Sequence, residues 1–161
     1  PGDSLRARLG NFLRAFLHRT ANHVLVVPDQ AVNFSHALLA YDGSPKAQEV
    51  LFVAAYLADR WQLRLTLTGV VGVRGVTTNT LYEAVDYLLS AGVPHAVVTL
   101  GAGSNSAHSV GSALSHALDA SQADLLIMGS YGRGPLREAV AGSAVDEILR
   151  RTESVPVLFC R

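Results

Sequence analysis

The chain has 161 residues, of which 49% are hydrophobic and 16% are charged, and its formal net charge is zero. This composition suffices for one ordinary domain with a sizeable core plus a short appendage, and it excludes a wholly disordered chain. Neutrality argues against a broad nucleic-acid-binding surface, and the lack of an apolar run of roughly 20 residues argues against a membrane span.

Cysteine content and the first residues indicate the compartment. Cys160 is the one cysteine, so no internal disulfide can form, as is usual in a reducing compartment. The arginines near the first residue are not followed by the uninterrupted apolar stretch of a secretory signal. We therefore expect a soluble cytoplasmic protein that has neither membrane nor nucleic-acid partners.

The first 30 residues predict a helix over 5–18, a strand over 23–27 and then a linker. They match the end of the chain, because residues 2–20 align with 134–152 without a gap. We interpret 1–30 as the last helix and strand of a preceding unit plus linker, and 31–161 as a complete unit. The alternative is that any amphipathic helix followed by a strand gives such a match. Identical pairs include Gly2 with Gly134, Gly10 with Gly142, Leu17 with Leu149, and Arg19-Thr20 with Arg151-Thr152.

From residue 37 onward, predicted strands and helices alternate. An apolar strand at 37–41 ends in Asp42-Gly43, after which Ser44 is placed to cap a helix with Pro45 at its first position. Apolar runs and 3.6-residue periodicity give the other elements. These are helices at 46–60, 79–90, 107–120 and 143–151, and strands at 63–71, 95–100, 125–128 and 156–160. The helix at 79–90 has an expected inward face of Leu81, Ala84, Val85, Leu88 and Leu89.

This alternation predicts a three-layer α/β fold, with helices on both sides of a five-stranded parallel sheet joined by right-handed crossovers. The strands read as apolar throughout, which is typical of a sheet buried on both faces. Ligands of such sheets bind beyond the carboxyl ends of the strands. Asp42, Val70 and Gly129 lie at such ends, so we expect them to converge on one crevice.

The Gly-rich stretch after the strand at 125–128 carries the chemistry. Residues 128–134 read Met-Gly-Ser-Tyr-Gly-Arg-Gly, and Gly142-Ser143 open the next predicted helix. Glycines let the backbone approach a ligand closely, and successive N–H groups in such turns bind anions. The helix start adds further N–H donors, and Ser143 adds a hydroxyl. Arg133 and Arg137 add positive charge at the rim. The stretch therefore predicts a phosphate-binding turn.

Its spacing resembles the nucleotide-binding branch of the universal stress protein family: Gly, two residues, Gly, nine residues, Gly, then Ser or Thr. Here these positions are Gly129, Gly132, Gly142 and Ser143. Three further segments, 38–44, 123–129 and 155–157, are similar to the first strand, the fourth strand and the ending of that family. The resemblance covers about residues 34–161.

The resemblance implies a Rossmann-like fold of the adenine nucleotide alpha hydrolase type. It implies a regulatory protein of the stress response that binds ATP, often with a divalent metal such as Mg²⁺ bridging phosphate oxygens. Members of this family commonly dimerise through their last strand. A second chain, or the strand at 23–27, is then expected to cover the otherwise open edge at 156–160.

The resemblance also implies roles for individual residues. Asp42 is placed near the ribose or adenine, and the backbone of Val70 at the adenine edge. The glycines and Ser143 are placed around the triphosphate. Tyr41 and Gly69 depart from the family pattern, in which a small aliphatic residue and a histidine are usual, and they bring the shape of the adenine pocket into question. The full set of predicted nucleotide-binding residues is Ala40, Asp42, Val70, Met128, Gly129, Gly132, Arg133, Gly142, Ser143 and Ala144.

Structural readings of the same residues remain open. Residues 129–134 suit a tight turn, Ser143 and Asp146 suit a capping box, and Asp42 suits a cap on the Gly43 turn. The functional alternative is a universal stress scaffold that binds no nucleotide and acts through protein contacts. The nucleotide- and ester-hydrolase motifs are absent, so we expect slow ATP hydrolysis at most.

Other reactive side chains are expected to be structural. The histidines lack metal-ligand spacing, so no metal held by protein side chains is predicted. Cys160 has no basic helix end obvious nearby and is expected to be inert. Trp61 follows a helix end and is expected to pack against the protein.

Overall fold

A computed structural model describes residues 2–29, 33–72, 75–101, 108–130, 147–148 and 154–161. Residues 147 and 148, from the helix predicted at 143–151, are helical, and the rest of that prediction lies outside the described residues. No helix in the described part is long and apolar enough to cross a membrane. In chain order the elements are α1 (Gly2–Arg19), β1 (Val24–Val26), β2 (His36–Ala40), α2 (Pro45–Trp61), β3 (Arg64–Val71), α3 (Thr78–Ser90), β4 (His95–Gly101), α4 (His108–Ser121), β5 (Leu125–Gly129) and β6 (Val157–Cys160).

The predicted five-stranded parallel sheet is confirmed, with the strand order β4-β3-β2-β5-β6. A sixth strand extends it, because β1 pairs with β6 in the antiparallel sense. Val24 lies opposite Phe159 and Val26 lies opposite Val157. The edge of the last strand is therefore covered from within the chain, which is one of the two arrangements that the sequence predicts.

Two apolar cores lie on opposite faces of the sheet, since successive residues of a strand point to opposite sides. The face under α2 and α3, here called the α2–α3 face, holds residues such as Leu39, Leu67 and Ile127. The other face, here called the α4 face, holds Leu38 and Met128 together with side chains from α1, α4 and residue 148. This is the predicted three-layer arrangement.

Helix α2 begins as its sequence predicts. Ser44 has extended backbone, and its Oγ accepts the N–H of Ala47 at 3.1 Å, which satisfies a donor that the first turn leaves without an intrahelical partner. Pro45 occupies the first helical position, where its missing N–H removes no hydrogen bond. The start of α2, and with it the turn at Asp42-Gly43, is thus fixed by local chemistry.

One expectation about strand composition and one about burial are wrong. Strand β3 is buried on both faces as expected, but it is not apolar throughout, because it contains the buried residues Thr66 and Thr68. Leu89 is 62% exposed, although it was expected on the inward face of α3. The buried residues of α3 are Leu81, Ala84 and Leu88, and residue 89 lies about 100° further round the helix than Leu88.

Buried polar groups join β2, β3 and β5 at their amino ends. His36 Nδ1 lies 3.1 Å from the Arg64 guanidinium, which can only donate, so Nδ1 accepts and Nε2–H donates to Thr66 Oγ1 at 2.7 Å. The carboxylate of Asp124 accepts the N–H groups of Ser35 and His36 at 2.9–3.0 Å. His36 is therefore held as the neutral imidazole.

Protonation of His36 is disfavoured in the folded state. Burial lowers the pKa of His36 from its ordinary value of 6.5, and the nearby Arg64 charge lowers it further. Asp124 and a hydrogen bond to the backbone of Ser121 oppose this shift without reversing it.

We therefore expect acid to destabilise the fold through His36. Because the folded-state pKa is depressed, this contribution to stability is fully present above about pH 6.5 and is lost as the pH falls toward the folded value. Urea unfolding between pH 8 and pH 5 measures it. His36→Gln should lose part of the pH dependence, whereas the exposed control His116→Gln should keep it. An unchanged profile in His36→Gln would contradict the assignment.

Leu17 is the main contact of helix α1 with the core of the α4 face. Leu17 is completely buried in the core of the α4 face, whereas Phe12, a little more than one turn earlier, is 67% exposed. The chain's other end is bonded to the same region, since the N–H of Arg161 donates to His23 Nδ1 at 3.1 Å. Residues 11–26 are thus an integral part of the folded body.

Leu17→Ala should lower the free energy of unfolding by about 2–5 kcal/mol, the usual range for a cavity of this kind. The control Phe12→Ala should lower it by less than about 1 kcal/mol, because the ring is mostly solvated and stacks on the partly exposed Phe16. Urea denaturation gives both values. Equal small losses would mean that α1 is not docked on this core in solution.

Candidate functional site

The carboxyl ends of β2, β3 and β5 lie side by side at one edge of the sheet. Strand β2 pairs with β3 on one side, with Ala40 opposite Thr68, and with β5 on the other, with Leu39 opposite Ile127. The helix after β2 covers the α2–α3 face, whereas the helix before β5 covers the α4 face. The gap between β2 and β5 is thus a topological switch point, where open α/β sheets bind their ligands.

Half of the predicted nucleotide-binding residues lie within the described chain, and all of them are at this edge. Ala40, Val70 and Met128 point to the α4 face. Successive side chains of a strand alternate between the two faces, and each of these residues is an odd number of positions from a residue that points to the other face. Those residues are Leu39, Leu67 and Ile127. Asp42 follows Ala40 by two residues, and Gly129 ends β5. The other predicted residues lie outside the described part of the chain: Gly132, Arg133, Gly142, Ser143 and Ala144.

A tight turn links β2 to α2 at this edge. The Asp42 carboxylate accepts the N–H of Ser44 at 3.1 Å, which is the capping role that the sequence left open. Gly43 has a φ of +70°, a backbone conformation that favours glycine. A Cβ at Gly43 would also collide with the methyl group of Thr80 on α3. The turn is therefore held against α3 as well as by its own hydrogen bond.

Both departures from the family pattern fall on the α2–α3 face. Tyr41 is buried in the core there, and burial, then Glu83 and Asp42, raise the pKa of its hydroxyl. A Cβ at Gly69 would lie 2.7 Å from Leu81 Cδ2 and 2.8 Å from the Tyr41 carbonyl oxygen, so no side chain fits. Neither residue takes up space on the α4 face, where the side chains of Ala40 and Met128 lie. Whether Tyr41 changes the shape of an adenine pocket stays a prediction from the sequence.

Ser130 anchors the start of the Gly-rich stretch. Its N–H and its hydroxyl both donate to the carbonyl oxygen of Cys160, at 2.8 and 3.0 Å, which joins the ends of β5 and β6. No separate role for Ser130 was predicted from the sequence. A Cβ at Gly129 would meet Lys46 and Val50 at 3.7 and 3.8 Å, which are ordinary contacts, so these neighbours do not require a glycine there.

The described part of the site contains neither an activated cysteine nor a metal-binding cluster. Burial raises the pKa of the Cys160 thiol to about 12, with Lys46 opposing the shift, so the thiol is protonated at neutral pH, as expected for an inert cysteine. In the ranges that the structure describes, no three acidic, histidine or cysteine side chains could hold a metal. Trp61 stacks on Phe34 with ring centres 5.5 Å apart, which confirms its packing role.

One hydroxyl beside the site has no hydrogen-bond partner. Thr68 is completely buried in β3, and its Oγ1 makes no hydrogen bond within the described structure. Thr68 was not among the site residues predicted from the sequence. Its signal in the sequence is the alternation Leu65-Thr66-Leu67-Thr68, in which both threonines must face the same side of a strand.

A search of protein-family models finds none that matches this chain. Among curated proteins, a universal stress protein from Synechocystis sp. is 30% identical over 159 residues, which are 97% of this chain and 53% of that protein. The chain belongs to the universal stress protein family. It spans about half the length of this curated relative.

Solved structures of universal stress proteins share the fold. One from Archaeoglobus fulgidus has a TM-score of 0.73 at 24% identity, covering 92% of this chain and 52% of that one. A universal stress protein in complex with cAMP has a TM-score of 0.63 at 20% identity, covering 81% and 98%. Another from A. fulgidus, in complex with dAMP, has a TM-score of 0.56 at 18% identity, covering 81% and 100%.

The turn at Gly43 gives a stability test. Gly43→Ala should lower the free energy of unfolding by more than the roughly 1–2 kcal/mol of a left-handed backbone, because its methyl group also meets Thr80. Gly75→Ala is the matched control, since Gly75 has a φ of +79° with open space around its Cβ position. Urea unfolding compares the two. Equal losses would mean that contact with Thr80 adds nothing.

Proposed function

We propose that this member of the universal stress protein family binds an adenine nucleotide, with ATP as the first candidate, at the edge where β2, β3 and β5 end. Bound nucleotide would regulate assembly or partner contact in the stress response, rather than serve as the substrate of a fast enzyme. The observation that carries the proposal is the convergence of Ala40, Asp42, Val70, Met128 and Gly129 at the switch point.

The base and ribose are assigned to β2 and β3. On the α4 face, Ala40 is small and partly buried, and Met128 offers a polarisable apolar surface two strands from β3. Val70, the last residue of β3 that points to the α4 face, is almost completely buried. Asp42, which is half-buried at the mouth of the crevice, is assigned to the ribose. An apolar pocket with a few polar groups at its rim is the usual form of a small-molecule site.

The triphosphate is assigned to the stretch that begins at Gly129, with Gly132, Arg133, Gly142, Ser143 and Ala144 as its ligands. Support comes from the spacing of these residues and from the anchoring of Ser130 on Cys160. Backbone amides after a strand and at a helix start bind phosphate without a charged side chain. A divalent metal such as Mg²⁺ would neutralise phosphate charge at this site. Among the described residues, no group of three or more acidic, histidine or cysteine side chains could hold it.

The complexes of two family members with cAMP and dAMP favour an adenine nucleotide over other ligands.

The share of each chain that these comparisons cover bears on the domain organisation. The single-unit structures are covered almost completely by 81% of this chain, which is the share that residues 31–161 make up. Relatives twice as long match 92–97% of it. We therefore keep the proposal that residues 1–30 end a preceding unit of a tandem protein.

Binding of Mg-ATP should raise the melting temperature. At a ligand concentration 100 times the dissociation constant, the stabilisation is about 2.7 kcal/mol, or roughly 5–10 °C for a chain of this size. Differential scanning fluorimetry measures it. Gly132→Val and Ser143→Ala should abolish or sharply reduce the shift, because the first blocks backbone approach and the second removes a donor. The control Ser112→Ala, at an exposed position on α4, should keep it.

The absence of any shift at millimolar Mg-ATP would overturn the proposal. It would favour the alternative, a scaffold of the same family that acts through protein contacts. That alternative predicts the same oligomeric state with and without ATP, which light scattering after size-exclusion chromatography can measure.

A further inference from the structure

Four polar side chains are buried in the described structure, and three of them are hydrogen-bonded within it. His36 and Thr66 bond to each other, and Ser130 bonds to the Cys160 carbonyl oxygen. Thr68 is the exception, since its Oγ1 is fully enclosed without a partner in the described chain. A buried hydroxyl without a partner destabilises a fold, and valine has nearly the same shape without this penalty. The packing of β3 therefore does not explain the threonine.

The position of Thr68 suggests what the hydroxyl is for. Strand register places Thr68 beside Ala40, at the usual strand spacing of about 4.8 Å, and both side chains point to the α4 face. Val70 follows on the same face, one side chain nearer the carboxyl edge. Met128 lies on the far side of Ala40, one residue beyond Ile127, which pairs with Leu39. The residues assigned to the base in the proposed function thus flank this hydroxyl.

We infer that Thr68 Oγ1 hydrogen-bonds the nucleobase and helps to select it. This rests on the proposed function and adds a polar contact in the base pocket that neither the Gly-rich stretch nor Asp42 supplies. A hydroxyl both donates and accepts, so it can pair with a ring nitrogen or with an exocyclic amino group. Val70, which is almost completely buried, lies between Thr68 and the carboxyl edge, and α4 packs on β3. The base therefore has to displace Val70 to reach the hydroxyl from that edge.

The inference separates the stability of the free protein from its affinity for nucleotide. Thr68→Val removes an unpartnered hydroxyl, so the melting temperature of the free protein should stay the same or rise. Its affinity for Mg-ATP should fall about 5- to 20-fold, the usual effect of losing one good hydrogen bond to a ligand. Its affinity for magnesium tripolyphosphate, which has no base, should not change. Isothermal titration calorimetry measures both affinities.

Thr66→Val is the matched control. It removes the same atoms two residues earlier on the same face of β3, but there the hydroxyl accepts a hydrogen bond from His36 at 2.7 Å. This variant should lower the melting temperature and leave the affinity for Mg-ATP unchanged. Thr68→Ser, which keeps the hydroxyl, should bind Mg-ATP within about threefold of the parent protein.

The outcomes distinguish the two proposals. If the parent protein binds Mg-ATP and Thr68→Val binds it equally well, the inference about Thr68 is wrong and the proposed function stands. If the parent protein binds no Mg-ATP, both are wrong. An equal loss of affinity for Mg-ATP and tripolyphosphate in Thr68→Val would also overturn the inference, because a general change in the site would then explain the loss. A loss confined to Mg-ATP would support it.

Discussion

The candidate site depends on one constraint, which is that β2 pairs in parallel with both β3 and β5. Parallel pairing brings the three carboxyl ends to the same edge, so Ala40, Val70 and Gly129 are neighbours although they are far apart in sequence. Helix α2, which follows β2, then lies on one face of the sheet, and α4, which precedes β5, lies on the other. Open parallel sheets bind their ligands at such an edge, so this topology by itself marks the edge as the candidate site.

Buried polar groups are hydrogen-bonded more completely at the amino edge of the sheet than at its carboxyl edge. At the amino edge, Asp124 binds the amides that begin β2, and His36 is satisfied by Arg64 and Thr66. At the carboxyl edge, Ser130 ties β5 to β6, but Thr68 is left without a partner in the described chain. A closed hydrogen-bond network stabilises the fold, whereas a single enclosed hydroxyl opposes it. This contrast is expected where one edge serves stability and the other binds a ligand.

Features that depend on local chemistry were predictable from the sequence. The cap at Ser44, the alternation of strands and helices, and the strand ends that carry the site follow from short-range patterns. Features that depend on distant neighbours were not. Whether β6 pairs within the chain or with a second copy has no local signature, and neither has the missing partner of Thr68. Leu89 was misplaced because apolar periodicity does not reveal how wide the buried stripe of a helix is, and here that stripe holds Leu81, Ala84 and Leu88.

The period of a β-strand explains why two departures from the family pattern fall on the face opposite the proposed base pocket. Tyr41, which follows β2, and Gly69 on β3 have odd-numbered positions, whereas the even-numbered positions of these strands face α4. The two departures also fit each other, since the Tyr41 carbonyl oxygen and Leu81 occupy the space of a side chain at position 69. Ala40, Thr68 and Met128 keep the opposite face. Both departures therefore lie on one face of the sheet, and the residues proposed to contact the base lie on the other.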